Sequence, residues 1–107
     1  MQNTHKTYIV GIGASAGGLE ALTQLVAHLR PDAPCAYVVL QHLSPTYRSM
    51  MVEILGRETP LTVREVTHGD VPQAGVIYIV PANHNALIKE GRLQLVTASP
   101  EVVPKPS

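Results

Sequence analysis

The sequence predicts an α/β fold, a three-layer, doubly wound and mainly parallel sheet that is incomplete and carries a C-terminal β-hairpin. Three observations predict it. An apolar, β-branched run at Tyr8–Ile12 passes through small residues into a helical stripe. A second such run, Ala36–Leu40, follows, so strand, helix and strand fall within residues 7–40, the make-up of a right-handed βαβ unit. The strand segments are also continuously apolar rather than alternating, which marks strands buried on both faces.

The elements follow in order. Met1–Lys6 is polar and is expected to fray. Thr7–Ile12 is the first strand. From Gly18 the pattern turns helical: Leu19, Leu22, Val26 and Leu29 share a stripe with Ala21 and Leu25 beside it, and Pro31 stops the helix. Ala36–Leu40 is the second strand. Ser44 is placed to cap a second helix with Pro45 at its first position. Tyr47, Met50, Met51, Ile54 and Leu55 give that helix its apolar face, and Glu53 and Arg57 are spaced to pair. Leu61–Val66 alternates as a third strand, His68-Gly69-Asp70 turns, and Val76–Val80 is a fourth, fully buried strand. Ala86–Lys89 and Arg92–Val96 flank Glu90-Gly91 as a hairpin. Ala98–Ser107 holds three prolines without periodicity and reads as a tail or linker. A doubly wound sheet needs helices on both faces. Two helices for four core strands therefore suggest part of a domain, spanning residues 7–97.

Composition narrows the classes of function. Lys plus Arg and Asp plus Glu number 8 each, so no electrostatic footprint for nucleic acid or an anionic membrane is present. Apolar residues make up 45% without Phe or Trp, so the core is built from Leu, Val, Ile, Ala and Met. Cys35 stands alone, which excludes an internal disulfide and agrees with a reducing compartment. Lys6, a short apolar run and Ala14-Ser15-Ala16 imitate a signal peptide. Gly11 and Gly13 interrupt that run, however, and an amphipathic helix follows. A cytoplasmic location without membrane insertion is the expectation.

Gly13-Ala14-Ser15-Ala16-Gly17 matches G-x-S-x-G in the strand–turn–helix setting the nucleophile elbow requires. Small neighbours admit a sharp turn and close approach of a carbonyl, and the N–H groups of Ala16 and Gly17 are then candidate oxyanion donors. The same stretch offers Gly11, Gly13 and Ala16 as a relaxed dinucleotide fingerprint. That reading wants an acid at the end of the next strand, where Gln41-His42 stands instead. A P-loop would need Lys-Ser/Thr after the glycines. The plainest alternative is that Ser15 only caps the first helix. His42 favours a nucleophile, because it ends the second strand at the same sheet edge. Neighbouring strands lie about 5 Å apart, so hydroxyl and imidazole would form a nucleophile–base pair for acyl transfer. His5, His28 and His68 read as solvated, and His84, which follows a buried strand, is a lesser candidate for the active edge. Asp32, Asp70 and Glu20 have no evident route to His42, so the orienting acid is missing. No Cys/His spacing supports zinc.

Gly11-Ile-Gly-Ala-Ser-Ala-Gly-Gly-Leu-Glu-Ala-Leu22 and Val39-Leu-Gln-His-Leu-Ser-Pro45 resemble the two opening motifs of the CheB-type protein-glutamate methylesterase domain of bacterial chemotaxis. Val76-Ile-Tyr-Ile-Val-Pro81 and Glu90-Gly-Arg-Leu93 are similar to its following segments. The resemblance implies Ser15 as nucleophile, His42 as base and no metal or cofactor. The implied partner is a methylated chemoreceptor or related signalling protein, whose glutamyl methyl esters are hydrolysed and whose glutamines can be deamidated. It also implies that the triad aspartate lies in a later Gly-rich motif beyond this chain, so the chain alone is expected to be inactive. With no receiver domain ahead of the match, the chain looks like the hybrids that join esterase and methyltransferase domains. The alternative is a catalytically incompetent fragment or interaction module, with self-association through the exposed edges of a truncated sheet.

Overall fold

A computed structural model of the chain describes residues 6–14, 19–41, 45–81 and 83–97. Its elements run β1 (Tyr8–Ala14), α1 (Leu19–Ala27), β2 (Cys35–Gln41), α2 (Pro45–Gly56), β3 (Thr62–Glu65), β4 (Val76–Ile79), β5 (His84–Lys89) and β6 (Arg92–Thr97). The tail expected over 98–107 and the Ser44 cap lie outside the described residues.

Four parallel strands form one sheet in the order β1-β2-β4-β3, and β5 and β6 form a separate antiparallel pair. The mixed α/β class, the mostly parallel sheet and the hairpin are as the sequence predicts. β1 outruns its expected end at Ile12, because Gly13 and Ala14 continue the ladder to Leu40 and Gln41. A parallel ladder is made by backbone, so loss of side-chain bulk does not end it. In contrast, α1 stops at Ala27, short of the expected Leu29. There His28 N bonds Leu25 O at 3.1 Å and Leu29 N bonds Val26 O at 3.3 Å, the tightened last turn of a helix running out of partners.

Alternation along the strands sends side chains to two faces. On one face Tyr37 and Val39 of β2 and Ile77 and Ile79 of β4 meet Leu22 and Val26 of α1 and Met51 and Leu55 of α2. Both helices therefore lie on this face. That follows from right-handed crossovers, since β1→β2 and β2→β3 step across the sheet in one direction. β3→β4 steps back, and its connection lies on the opposite face, where Val66 packs with Ala36, Tyr78, Val80 and Leu93. No helix covers that face among the described residues; its cover is the 66–75 connection and the β5–β6 hairpin.

That cover is pinned by hydrogen bonds. Gly69 N and Leu93 O are 2.7 Å apart, as are Leu93 N and Asp70 O. Leu95 N donates to Nδ1 of His68 at 3.0 Å, and Arg92 Nη1 donates to Gly69 O at 3.0 Å. His68 is thus an acceptor holding β6, not a merely solvated side chain. Its turn folds back on the hairpin instead of ending at solvent. Glu90 (φ 54°) and Gly91 (φ 78°) form the two-residue turn between β5 and β6, with both φ values positive as a type I′ turn requires. α2 differs from its expected face in detail. Met51 and Leu55 are buried and Val52 packs against the core, whereas Met50 is exposed. Glu53 and Arg57 are joined by backbone only, Arg57 N to Glu53 O at 3.3 Å. The ion pairs among the described residues are Arg30–Asp32 and Arg64–Asp70.

Candidate functional site

The carboxyl edge of the sheet is where this topology puts a ligand. β2 sends the chain on to α2, on the helix face, while β4 sends it on to the hairpin on the opposite face. Ligands of open α/β sheets bind where neighbouring connections part in this way. At the same edge β1 and β2 end in register, Ala14 opposite Gln41. Ser15 and His42 are the next residues along each strand's chain. Ser15, Ala16, Gly17 and His42, the four residues assigned to the site from sequence, lie outside the described residues.

Below that edge, mainly on the hairpin face, runs an apolar groove of about 250 Å³ lined by Gly11, Ile12, Gly13, Val38, Leu40, Val80 and Ala86. It exists because β1 carries glycine at two positions of one face. A Cβ added at Gly11 or Gly13 would meet nothing within 4 Å. The groove was legible in sequence as Gly-x-Gly inside a strand, since residues i and i+2 share a face.

Two of the described acids, Asp32 and Asp70, are engaged elsewhere. Asp32 pairs bidentately with Arg30, Oδ1 to Nε at 3.2 Å and Oδ2 to Nη2 at 3.0 Å. Those hydrogen bonds and the guanidinium charge hold its carboxyl below the usual range. Asp70 accepts from Thr67 N at 2.8 Å and faces Arg64 at 3.7 Å, beside β3 at the far side of the sheet from β1. Glu20 is exposed in the first turn of α1. His28, on the exposed surface, holds Gln24 O through Nδ1 at 2.8 Å. His84 opens β5 opposite Thr97, two residues earlier than the hairpin was expected to start. Among the described residues no cluster of three or more His, Cys, Asp or Glu is placed to hold a metal ion. No described helix is long and apolar enough to cross a membrane.

Comparison with known proteins agrees with this architecture. Protein-glutamate methylesterase/protein-glutamine glutaminase 2 of Anaeromyxobacter dehalogenans is 36% identical over 92% of this chain, which spans 29% of that relative. The protein of the same name from Burkholderia pseudomallei (strain 1710b) is 38% identical over 90% of this chain, which spans 28% of it. The crystal structure of the Thermotoga maritima CheB methylesterase catalytic domain superposes with a TM-score of 0.73 at 27% identity. That match covers 87% of this chain and 50% of the solved one. The CheB methylesterase family model matches residues 10–106, and the chain belongs to that family.

Proposed function

We propose that this chain carries the nucleophile and the base of a protein-glutamate methylesterase, Ser15 and His42, acting on methylated chemoreceptors or related signalling proteins. The observation that carries the reading is the register of Ala14 with Gln41 at the carboxyl ends of two neighbouring parallel strands. The residues that follow them have a hydroxyl and an imidazole. The names of the relatives supply the substrate class, a glutamyl methyl ester, with glutamine as the second substrate.

In this reading His42 takes the Ser15 proton as Oγ attacks the γ-carbonyl, and the N–H groups of Ala16 and Gly17 receive the developing oxyanion. Collapse of the tetrahedral adduct expels methoxide, which leaves as methanol with the proton from His42. Water, deprotonated by His42, then attacks the acyl-serine and releases the glutamate side chain and Ser15. Deamidation follows the same course with ammonia as the leaving group. The acid that orients His42 is assigned to polypeptide outside residues 1–107. In support, Asp32 and Asp70 are committed to other partners, and the chain spans half of the solved catalytic domain.

The test is transfer of a fluorophosphonate label, read by peptide mass. In the full-length protein the expected result is a label on Ser15 that is lost in Ser15→Ala. A label that persists in Ser15→Ala overturns the nucleophile assignment. Loss of the acid from a triad costs on the order of 10⁴ in rate, so methanol release by residues 1–107 alone should stay at background. Robust turnover would overturn the external position of the acid. Absence of labelling even on prolonged exposure would favour the interaction-module reading.

A further inference from the structure

We infer that His68 is a pH-dependent latch on the hairpin: its neutral ring holds the Leu95 end of β6, and proton uptake releases it. Leu93 and Leu95 are two apart on β6, so both turn their N–H away from β5 and toward the 68–70 turn. Leu93 N donates to Asp70 O at 2.7 Å, and Leu95 N donates to Nδ1 of His68 at 3.0 Å. Leu95 thus depends on a side chain where Leu93 has a backbone carbonyl.

A backbone N–H can only donate, so Nδ1 accepts and the neutral ring carries its proton on Nε2. A second proton can go only to Nδ1, where it would meet the Leu95 N–H, donor against donor. Bond and proton exclude each other. His28 is wired the opposite way. Its Nδ1 lies 2.8 Å from Gln24 O, a carbonyl that can only accept, so this ring donates whether neutral or charged. Proton uptake leaves the His28 contact in place and breaks that of His68. An imidazole changes its charge between about pH 5 and 8. The other bonds joining the turn to β6 run from Gly69 N to Leu93 O, from Leu93 N to Asp70 O and from Arg92 Nη1 to Gly69 O. Peptide groups and a guanidinium do not titrate in that range.

The charged and titratable groups on the elements packed around the turn are Arg64 and Glu65 of β3, Tyr78 of β4, Asp70 of the turn itself, and His84, Lys89, Glu90 and Arg92 of the hairpin. Asp70, the acid beside His68, is occupied by Thr67 N at 2.8 Å and by Arg64 at 3.7 Å. The Tyr78 hydroxyl accepts from Gln73 N at 2.9 Å. In the unfolded chain the ring takes up its proton without giving up a bond. The unfolded state therefore binds more protons as pH falls, and the stability that the latch contributes is lost in the same direction.

The release is local. Leu95 stands opposite Ala86 in the ladder, and both pack against Ala36, Val66, Tyr78, Val80 and Leu93. Leu93 is fully buried and is held through its N–H and its C=O, so it stays. Acid thus loosens the hairpin from the end where β5 begins, not from its Glu90-Gly91 turn.

Amide exchange of the full-length protein, labelled in leucine and corrected for the intrinsic pH dependence of exchange, tests the latch between about pH 8 and about pH 5. Protection of the Leu95 amide should fall roughly fivefold, the worth of one ordinary hydrogen bond, while that of Leu93 should hold. His68→Asn, whose Oδ1 accepts near the Nδ1 position without titrating, should protect Leu95 equally at both ends of the range. His68→Ala should leave it unprotected throughout. Protection at Leu95 that does not change with pH in the parent overturns the inference. So does a fall that persists in His68→Asn. Should that variant fail to fold, the parent decides: the Leu95 amide and the His68 ring resonances should titrate with one midpoint, and separate midpoints overturn the latch.

Discussion

The two faces of the parallel sheet are covered by different means. On the helix face, Leu22, Val26, Met51 and Leu55 project from two helices onto β2 and β4 and form one buried cluster. On the other face the cover is a connection without regular structure and a two-stranded hairpin, held over Tyr78 and Val80 by Leu93 and by bonds from the 68–70 turn. The first kind of cover rests on apolar burial. The second adds a set of specific backbone bonds, because an isolated two-stranded hairpin is at best marginally stable in water. It should therefore be the part that opens first.

Substitutions can break that contrast. Leu55→Ala, in the helix-face cluster, should cost about 3 kcal/mol and lower the melting temperature of the whole domain. Leu93→Ala should cost less, about 2 kcal/mol. Hydrogen exchange should show amides of β5 and β6 losing protection before those of β2. Equal loss of protection everywhere would mean that the two covers form one cooperative unit.

A pH titration sharpens the contrast on the helix face. Burial, with the neighbouring Cys35 thiol adding to it, pushes the Tyr37 phenol above its ordinary 10.0. The folded state thus favours the neutral phenol. Its contribution is complete below pH 10.0 and is lost as pH rises from there through the raised value. Thermal melts between pH 9 and 11 should fall more steeply for the parent chain than for Tyr37→Phe. Identical slopes would remove Tyr37 as the cause. The smallest effect belongs to the hairpin turn. Glu90 holds φ at 54°, a conformation that Asn tolerates better. Glu90→Asn should raise stability by about 0.5 kcal/mol, measured by urea denaturation, and should slow exchange of the β5 and β6 amides in particular.

Strands and helices were legible in the sequence where local chemistry decides them. Continuous apolar runs marked β2 and β4, and Glu90-Gly91 marked the hairpin. Placement was less legible. Nothing local to His68 says that its ring accepts from Leu95, since 27 residues separate them. The placement of the 66–75 connection and the hairpin over the second face also followed from strand order, which periodicity does not encode. At the site, the strand ends that precede Ser15 and His42 are described, with Ala14 opposite Gln41, while Ser15 and His42 themselves lie outside the described residues. Asp32 and Asp70 could be judged only once Arg30 and Arg64 were seen beside them.

The strand order has a consequence for how the chain is made. β3 is synthesised directly after α2, yet its partner in the sheet is β4, which sits between it and β2. On a ribosome adding about 5–20 residues per second, β3 waits on the order of a second for that partner. β1, α1, β2 and α2 need no later strand to join one another. The first βαβ unit can therefore assemble during elongation, whereas β3 emerges as an unpaired strand. The charges on Arg64 and Glu65 then keep a nascent strand soluble until the sheet can accept it.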